Sequence, residues 1–205
     1  MSRDTGTLGS GRMRVQEVAA GLWRWTGLHP EWKPGDGGPE GWEQEVGCVY
    51  YESPEAVVLV DPLVPPEDED RFWRALDRDV ERAGKPVRIL LTVSWHGRSA
   101  EAIAARYSAA TDGELPSGVE SRALTAGEET AYWIPAHGAL VFGDAVLGAQ
   151  DGVRLCPESW LNGTLAQLKD ELRPLLDLPV ERVLVSHGEP VLRGSRAALR
   201  GAVAG

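Results

Sequence analysis

The spacing of apolar and polar positions changes along this chain, and each change marks an element. Residues 15–18 and 22–26 are short β-branched or aromatic runs split by Ala20-Gly21, which predicts an opening β-hairpin. Residues 29–45 hold too much glycine and proline for an element, and connections of that length inside a domain are usually functional or mobile. Strands resume at 46–51 and 56–60, with Ser53-Pro54 at the turn. The second is a continuous apolar run ending at Asp61, a pattern that implies burial on both faces. Pro65-Pro66-Glu67-Asp68-Glu69-Asp70 opens a helix, because proline is tolerated in a first turn and acidic groups there complement the helix dipole. Phe72, Leu76, Val80 and Ala83, with Trp73 beside them, form its apolar stripe, and Gly84 stops it.

Residues 87–91 read as a buried strand that delivers 92–99 into a turn, and 100–108 as a helix. Strands follow at 119–124, 129–134 and 139–142. Leu165, Leu168, Leu172 and Leu175 recur at three and four, predicting an amphipathic helix. Residues 182–185 form a last buried strand with His187 at its end, and 195–203 a terminal helix. This order fits an α+β fold of mixed sheets with helices on their outer faces, in which His96, Asp144 and His187 are delivered at the ends of buried strands.

Length and composition narrow the picture. A chain of 205 residues without an internal linker is expected to form a single domain, 13–205, behind a small, polar, glycine-rich tail, 1–12, expected to be disordered. The tail lacks the apolar run of a secretory signal, and no segment approaches the ~20 apolar residues of a membrane span, so a cytoplasmic protein is expected. A net charge of −10 repels phosphate backbones and anionic membranes, which argues against nucleic-acid and membrane partners. Cys48 and Cys156 stand far apart without CxxC spacing and read as small buried hydrophobes. No Gly-x-Ser-x-Gly elbow, phosphate loop or His-Glu-x-x-His helix is present.

The chemistry-bearing segments are Leu90-Leu-Thr-Val-Ser-Trp-His96-Gly-Arg98-Ser, Val141-Phe-Gly-Asp144 and Val183-Leu-Val-Ser-His187-Gly-Glu-Pro, together with the strand-end Asp61. From about Val15 to Ala204 this set resembles the metallo-β-lactamase fold superfamily, an αββα sandwich of mostly metal-dependent hydrolases. There, one strand ends in Thr-His-x-His-x-Asp-His, and these ligands join a later histidine, a bridging aspartate and a final histidine around one or two metal ions, usually zinc. Laid on this chain, the pattern falls on residues 92–98, where Val93, Trp95, Gly97 and Arg98 replace the four ligands. A one-residue slip brings His96 onto a ligand position. Asp144 matches the bridging aspartate and His187 the last ligand. Bland readings stand beside these: an aspartate after Phe-Gly caps a turn, and a turn histidine bonds to backbone. His137 reads as an exposed turn residue.

The resemblance implies at most one zinc ion, on His96, Asp144 and His187, or none; the ligand count leaves both open. Arg98 suggests a replacement for the ion, a guanidinium paired with Asp144 or Glu189. The loop carrying His29, Trp32 and Trp42 is expected to roof the cleft, as a grip for a small-molecule ligand or as a plug. Two functions follow. One is a degenerate hydrolase acting on a small ester, thioester or lactone. The other is a non-catalytic small-molecule-binding or regulatory module. Oligomeric state is left open.

Overall fold

The computed structural model describes residues 12–205, so the expected tail lies outside the described residues except for Arg12. Strands β1 (Arg14–Ala19), β2 (Leu22–Leu28), β3 (Glu45–Glu52), β4 (Val57–Val60) and β5 (Val87–Leu90) form a five-stranded sheet in that order. All neighbours in it are antiparallel except β4 and β5, which run parallel. Between them lies α1 (Glu69–Ala83), and α2 (Ala100–Tyr107) follows β5. The second sheet contains β6 (Glu120–Leu124), β7 (Glu129–Ile134), β8 (Ala139–Phe142) and β11 (Arg182–Val185), in the order β11-β8-β7-β6 with β11 and β8 parallel. A hairpin of β9 (Val146–Ala149) and β10 (Gly152–Leu155), then α3 (Leu165–Leu172), separates β8 from β11, and α4 (Ser195–Ala204) ends the chain.

Three apolar layers stack these elements. Phe72, Leu76 and Ile103 of α1 and α2 pack on one face of the first sheet with Trp25, Leu59 and Ile89. The facing sides of the two sheets meet through Val49, Val58, Val60, Ile134, Val141 and Leu184. Leu168, Leu172, Leu199 and Val203 of α3 and α4 cover the far side of the second sheet, against Leu140, Phe142 and Val183. The architecture is therefore the expected αββα sandwich. Strands buried on both sides, such as β4, β8 and β11, are those with unbroken apolar runs. Among the described residues no helix is long and apolar enough to cross a membrane.

Two details depart from the periodicity. The helix through Leu175 stops at Leu172, because Pro174 lacks the N–H that an α-helix needs, and the chain tightens into a 3-10 turn at Arg173–Asp177. The β9–β10 hairpin was not anticipated, since its strands are four residues long and glycine-bearing. The stop at Gly84 is as expected: it adopts φ +61 and its N–H bonds to the Val80 carbonyl.

Leu184 is fully buried between the sheets, whereas Leu115 is exposed. Leu184→Ala is expected to lower unfolding stability by about 2–5 kcal/mol and Leu115→Ala by less than about 0.5, measured by urea denaturation. Equal effects would contradict this layer assignment.

Candidate metal centre

Because β4 runs parallel to β5, and β8 parallel to β11, the ends of these four strands open on one rim. They release Asp61, residues 92–98, Asp144 and His187 there. The sheets are tied at this rim by hydrogen bonds. Gly47 donates to the Ser186 carbonyl at 2.7 Å, and buried Arg24 reaches the Gly188 carbonyl at 2.8 Å. A Cβ on Gly47 would lie 2.7 Å from the Val185 carbonyl oxygen, so the close approach of the sheets requires glycine.

Asp61 is 2% exposed and held at φ +48. Its Oδ1 accepts the Thr92 N–H at 2.8 Å. Its Oδ2 accepts the Thr92 hydroxyl at 2.5 Å and the Ser186 hydroxyl at 3.3 Å, and lies 3.0 Å from His96 Nδ1. A carboxylate on Nδ1 places the imidazole proton there and leaves Nε2 as the free donor atom, the orientation typical of a metal-binding histidine. His96 Nε2 and His187 Nε2 come within 3.3 and 3.2 Å of Asp144 Oδ1, and one ligand atom from each residue lies within 4.8 Å of the others. This buried oxygen has no partner that meets hydrogen-bond geometry among the described residues, although both imidazole nitrogens lie at ion-pair distance from it. The other oxygen, Oδ2, accepts the Trp95 indole N–H at 2.8 Å.

These residues fit a zinc ion. Tetrahedral bonds of about 2.0 Å to nitrogen and oxygen separate neighbouring ligand atoms by about 3.3 Å. An orphaned carboxylate oxygen between two imidazoles is what a cation would satisfy.

Without an ion, the electrostatics divide the histidines. Burial disfavours the charged form of His96, but its contacts with Asp144 and Asp61 outweigh burial and lift its pKa to about 9. Burial prevails at His187, which is pushed below the usual histidine range although Asp144 attracts its proton. Burial opposes the charge of Asp144 too, yet the contacts with His187 and His96 hold it well below the usual carboxylate range.

The Asp144 turn has its own support. Glu129, at the start of β7 and 3% exposed, accepts the backbone N–H groups of Gly143, Asp144 and Ala145 at 2.8, 2.7 and 2.7 Å. Burial, opposed by these bonds, raises its pKa to about 7. Sequence reading passed over Glu129; the available signal was an acidic residue opening an otherwise apolar strand. It also dismissed Trp95 as a non-ligand, although that residue fixes one oxygen of Asp144. Trp160 gave no signal at all.

Arg98 departs from expectation. It forms no ion pair with Asp144 or Glu189. At φ +36 it turns its guanidinium towards strand-end carbonyls, donating to Asp61 at 3.0 Å and Gly47 at 3.2 Å. Asp144 is already engaged by the histidines and Trp95, and Glu189 pairs with Arg14 at 2.9 Å. Arg98 therefore lines the cleft as a cation without replacing the ion. The cleft, of about 350 Å³, is walled by His29, Trp42, Trp95 and Trp160 over the His96–Asp144–His187 cluster. Trp42 stacks edge-on against both His29 and His187, with ring centroids 5.2 and 5.3 Å apart. Trp32 is absent from this wall. It donates its indole N–H to the Trp42 carbonyl at 2.9 Å and lines the adjoining hollow, bracing Trp42 from behind. Trp160 bonds to the Glu40 carbonyl at 2.8 Å, which clamps the 29–45 loop over the site. His137 lies in the β7–β8 turn, half-buried edge-on to Tyr51 rather than exposed. Both cysteines are buried and free, as expected.

No family model and no curated protein matches this sequence. Solved structures do. VMB-1 is 13% identical with a TM-score of 0.66, covering 96% of this chain and 97% of its own. The metallo-beta-lactamase FIM-1 from Pseudomonas aeruginosa, in its mono-zinc form, is 14% identical with a TM-score of 0.62 (94% and 95%). A metallo beta lactamase from Erythrobacter litoralis, with beta mercaptoethanol in its active site, is 13% identical with a TM-score of 0.65 (96% and 97%).

Removing the Glu129 carboxylate leaves three buried amides without an acceptor. Glu129→Ala is expected to cost about 3 kcal/mol or more in urea denaturation and to weaken metal binding about 10–100-fold. A neutral result would show that the turn holds itself. In chelator-treated protein, the native state retains a proton on His96 that the unfolded chain loses above 6.5. Stability is then full below pH 6.5 and falls as pH rises to about 9. His96→Gln is expected to flatten that fall; an unchanged profile would assign the titration elsewhere.

Proposed function

We propose that this chain, which has the metallo-β-lactamase fold, is a hydrolase-like protein with a single-zinc centre on His96, Asp144 and His187. The proposed substrate is a small ester, thioester or lactone. The observation that carries the reading is the buried, unpartnered Asp144 Oδ1 set between two imidazole Nε2 atoms, one of them oriented from behind by Asp61. A divalent ion held there would supply Lewis acidity for a carbonyl and bring the pKa of water towards neutrality.

The chain's own residues account for the rest. Asp61 fixes the His96 ring, and Glu129 fixes the backbone of Asp144. Trp95 engages Asp144 Oδ2, which leaves Oδ1 as the oxygen facing both histidines. Trp42 and Trp160 exclude water and present apolar surface to an acyl or leaving group, and the cleft volume suits a small molecule. Arg98 contributes positive charge that favours an anionic or strongly polarised carbonyl.

A non-catalytic binding module is the second reading: the contacts of His96 with Asp61 and Asp144 favour its protonated form, which would offset the charge of Asp144 without an ion.

Elemental analysis of the purified protein, with and without zinc and iron supplementation, separates the two. About one zinc per chain, lost in His187→Ala, is expected. Its presence would justify a screen of esters, thioesters and lactones. An absence of metal under all conditions would overturn the hydrolytic reading and turn attention to ligands of the tryptophan-walled cleft.

A further inference from the structure

Away from the rim, a second cavity of about 670 Å³ opens between the β1–β2 hairpin and α1, and it shares no lining residue with the metal cleft. Its origin is in the sequence. Residues on one face of the first sheet pair across strands as Val15↔Trp25 and Trp23↔Tyr50, so their side chains form an aromatic floor. Helix α1 lays Phe72 and Leu76 against this sheet. The next row of α1, Arg71, Arg74, Arg78 and Arg82, steps by three, four and four, which places the arginines along one helix face. All four line the cavity.

Two observations point to a ligand. Tyr50 lines the cavity, and its hydroxyl is buried without a hydrogen-bond partner among the described residues. Buried phenol groups are normally bonded. The rim, moreover, carries more guanidinium groups than carboxylates, the latter being Glu17, Glu52 and Asp79, on a chain of net charge −10. Arg82 is tied to Glu52 at 3.0 Å and Arg78 contacts Asp79 at 3.4 Å. Arg71 shares Asp68 at 3.6 Å, and Arg74 forms no ion pair among the described residues. An apolar floor beside a row of guanidinium groups, of which Arg74 is without an ion pair among the described residues, matches a molecule with an apolar body and a carboxylate head.

We propose that this groove is a binding site for an amphipathic monoanion, an acyl-chain carboxylate. The chain covers Trp23, Trp25 and Phe72, while the head meets the arginine row at Arg74.

The test is isothermal titration calorimetry of the full chain with dodecanoate, and with dodecyltrimethylammonium as the same tail carrying the opposite charge. Saturable binding of one dodecanoate per chain is expected, with the ammonium amphiphile weaker by about tenfold or more, the equivalent of about 1.4 kcal/mol. Arg74→Glu is expected to weaken dodecanoate about tenfold. Ala75→Trp, which places an indole in the groove, is expected to abolish binding, and His187→Ala to leave it unchanged. Thermal unfolding checks each variant; if Ala75→Trp fails to fold, Arg74→Glu decides by itself. Equal affinity for the two head groups, indifference to Arg74→Glu, loss in His187→Ala, or no binding would each overturn the proposal. Binding only after removal of residues 1–11 would assign the groove to the chain's own N-terminal segment. A dimer in sedimentation that Ala75→Trp converts to monomer would assign it to a second copy. Either result also overturns the proposal.

Discussion

The candidate centre depends on one buried carboxylate, Asp61. Taking a charge from water into a protein interior costs several kcal/mol unless donors replace the lost hydration. Here the donors come from different strands: Thr92 after β5, His96 one turn further on, and Ser186 after β11. Satisfying Asp61 therefore requires both sheets to meet in one register, and that register brings His96 from the first sheet to Asp144 and His187, which the parallel pairing of β8 and β11 already sets side by side in the second. The positive φ of Asp61 and Arg98 is strain of the kind that persists where surrounding bonds over-determine the backbone. Arg98 closes the circuit by donating to the carbonyl oxygen of Asp61 itself.

Given this support, the cluster can be balanced in two ways that compete. A proton on His96 offsets Asp144, and so does a cation on all three residues, but Nε2 cannot hold both. A metal bound there would have to displace the proton, so its affinity would rise with pH across the range in which His96 titrates. His187 sits neutral beside it and needs no such exchange. The two histidines thus differ in role although both face the same oxygen.

Most of the fold was legible because its strands are short apolar runs between turn residues and its helices carry clear stripes and stops, such as Phe72 to Gly84. Local pattern failed where local chemistry was weak, at the β9–β10 hairpin, or where a single residue overrode periodicity, as Pro174 does. His96, Asp144 and His187 were readable as strand-end polar residues, and the structure gathers all three. The supporting residues were not readable. Glu129 lies fifteen positions before Asp144 and acts only through backbone amides. Trp95 lies in the turn after β5 yet contacts Asp144 from forty-nine positions away. The proposed role of Arg98 rested on charge alone, and carbonyl geometry decided otherwise.

The contact between Thr92 and Gly143 explains why the cluster behaves as a unit. A Cβ on Gly143 would fall 2.3 Å from the Thr92 hydroxyl oxygen and 2.9 Å from its Cβ, so only glycine allows the two turns to touch. Thr92 bonds Asp61, Asp61 orients His96, and Gly143 carries Asp144 on amides that Glu129 holds. Backbone packing and buried hydrogen bonds thereby hold His96 and Asp144 against each other. A site organised in this way holds its donor atoms in place before any ion arrives.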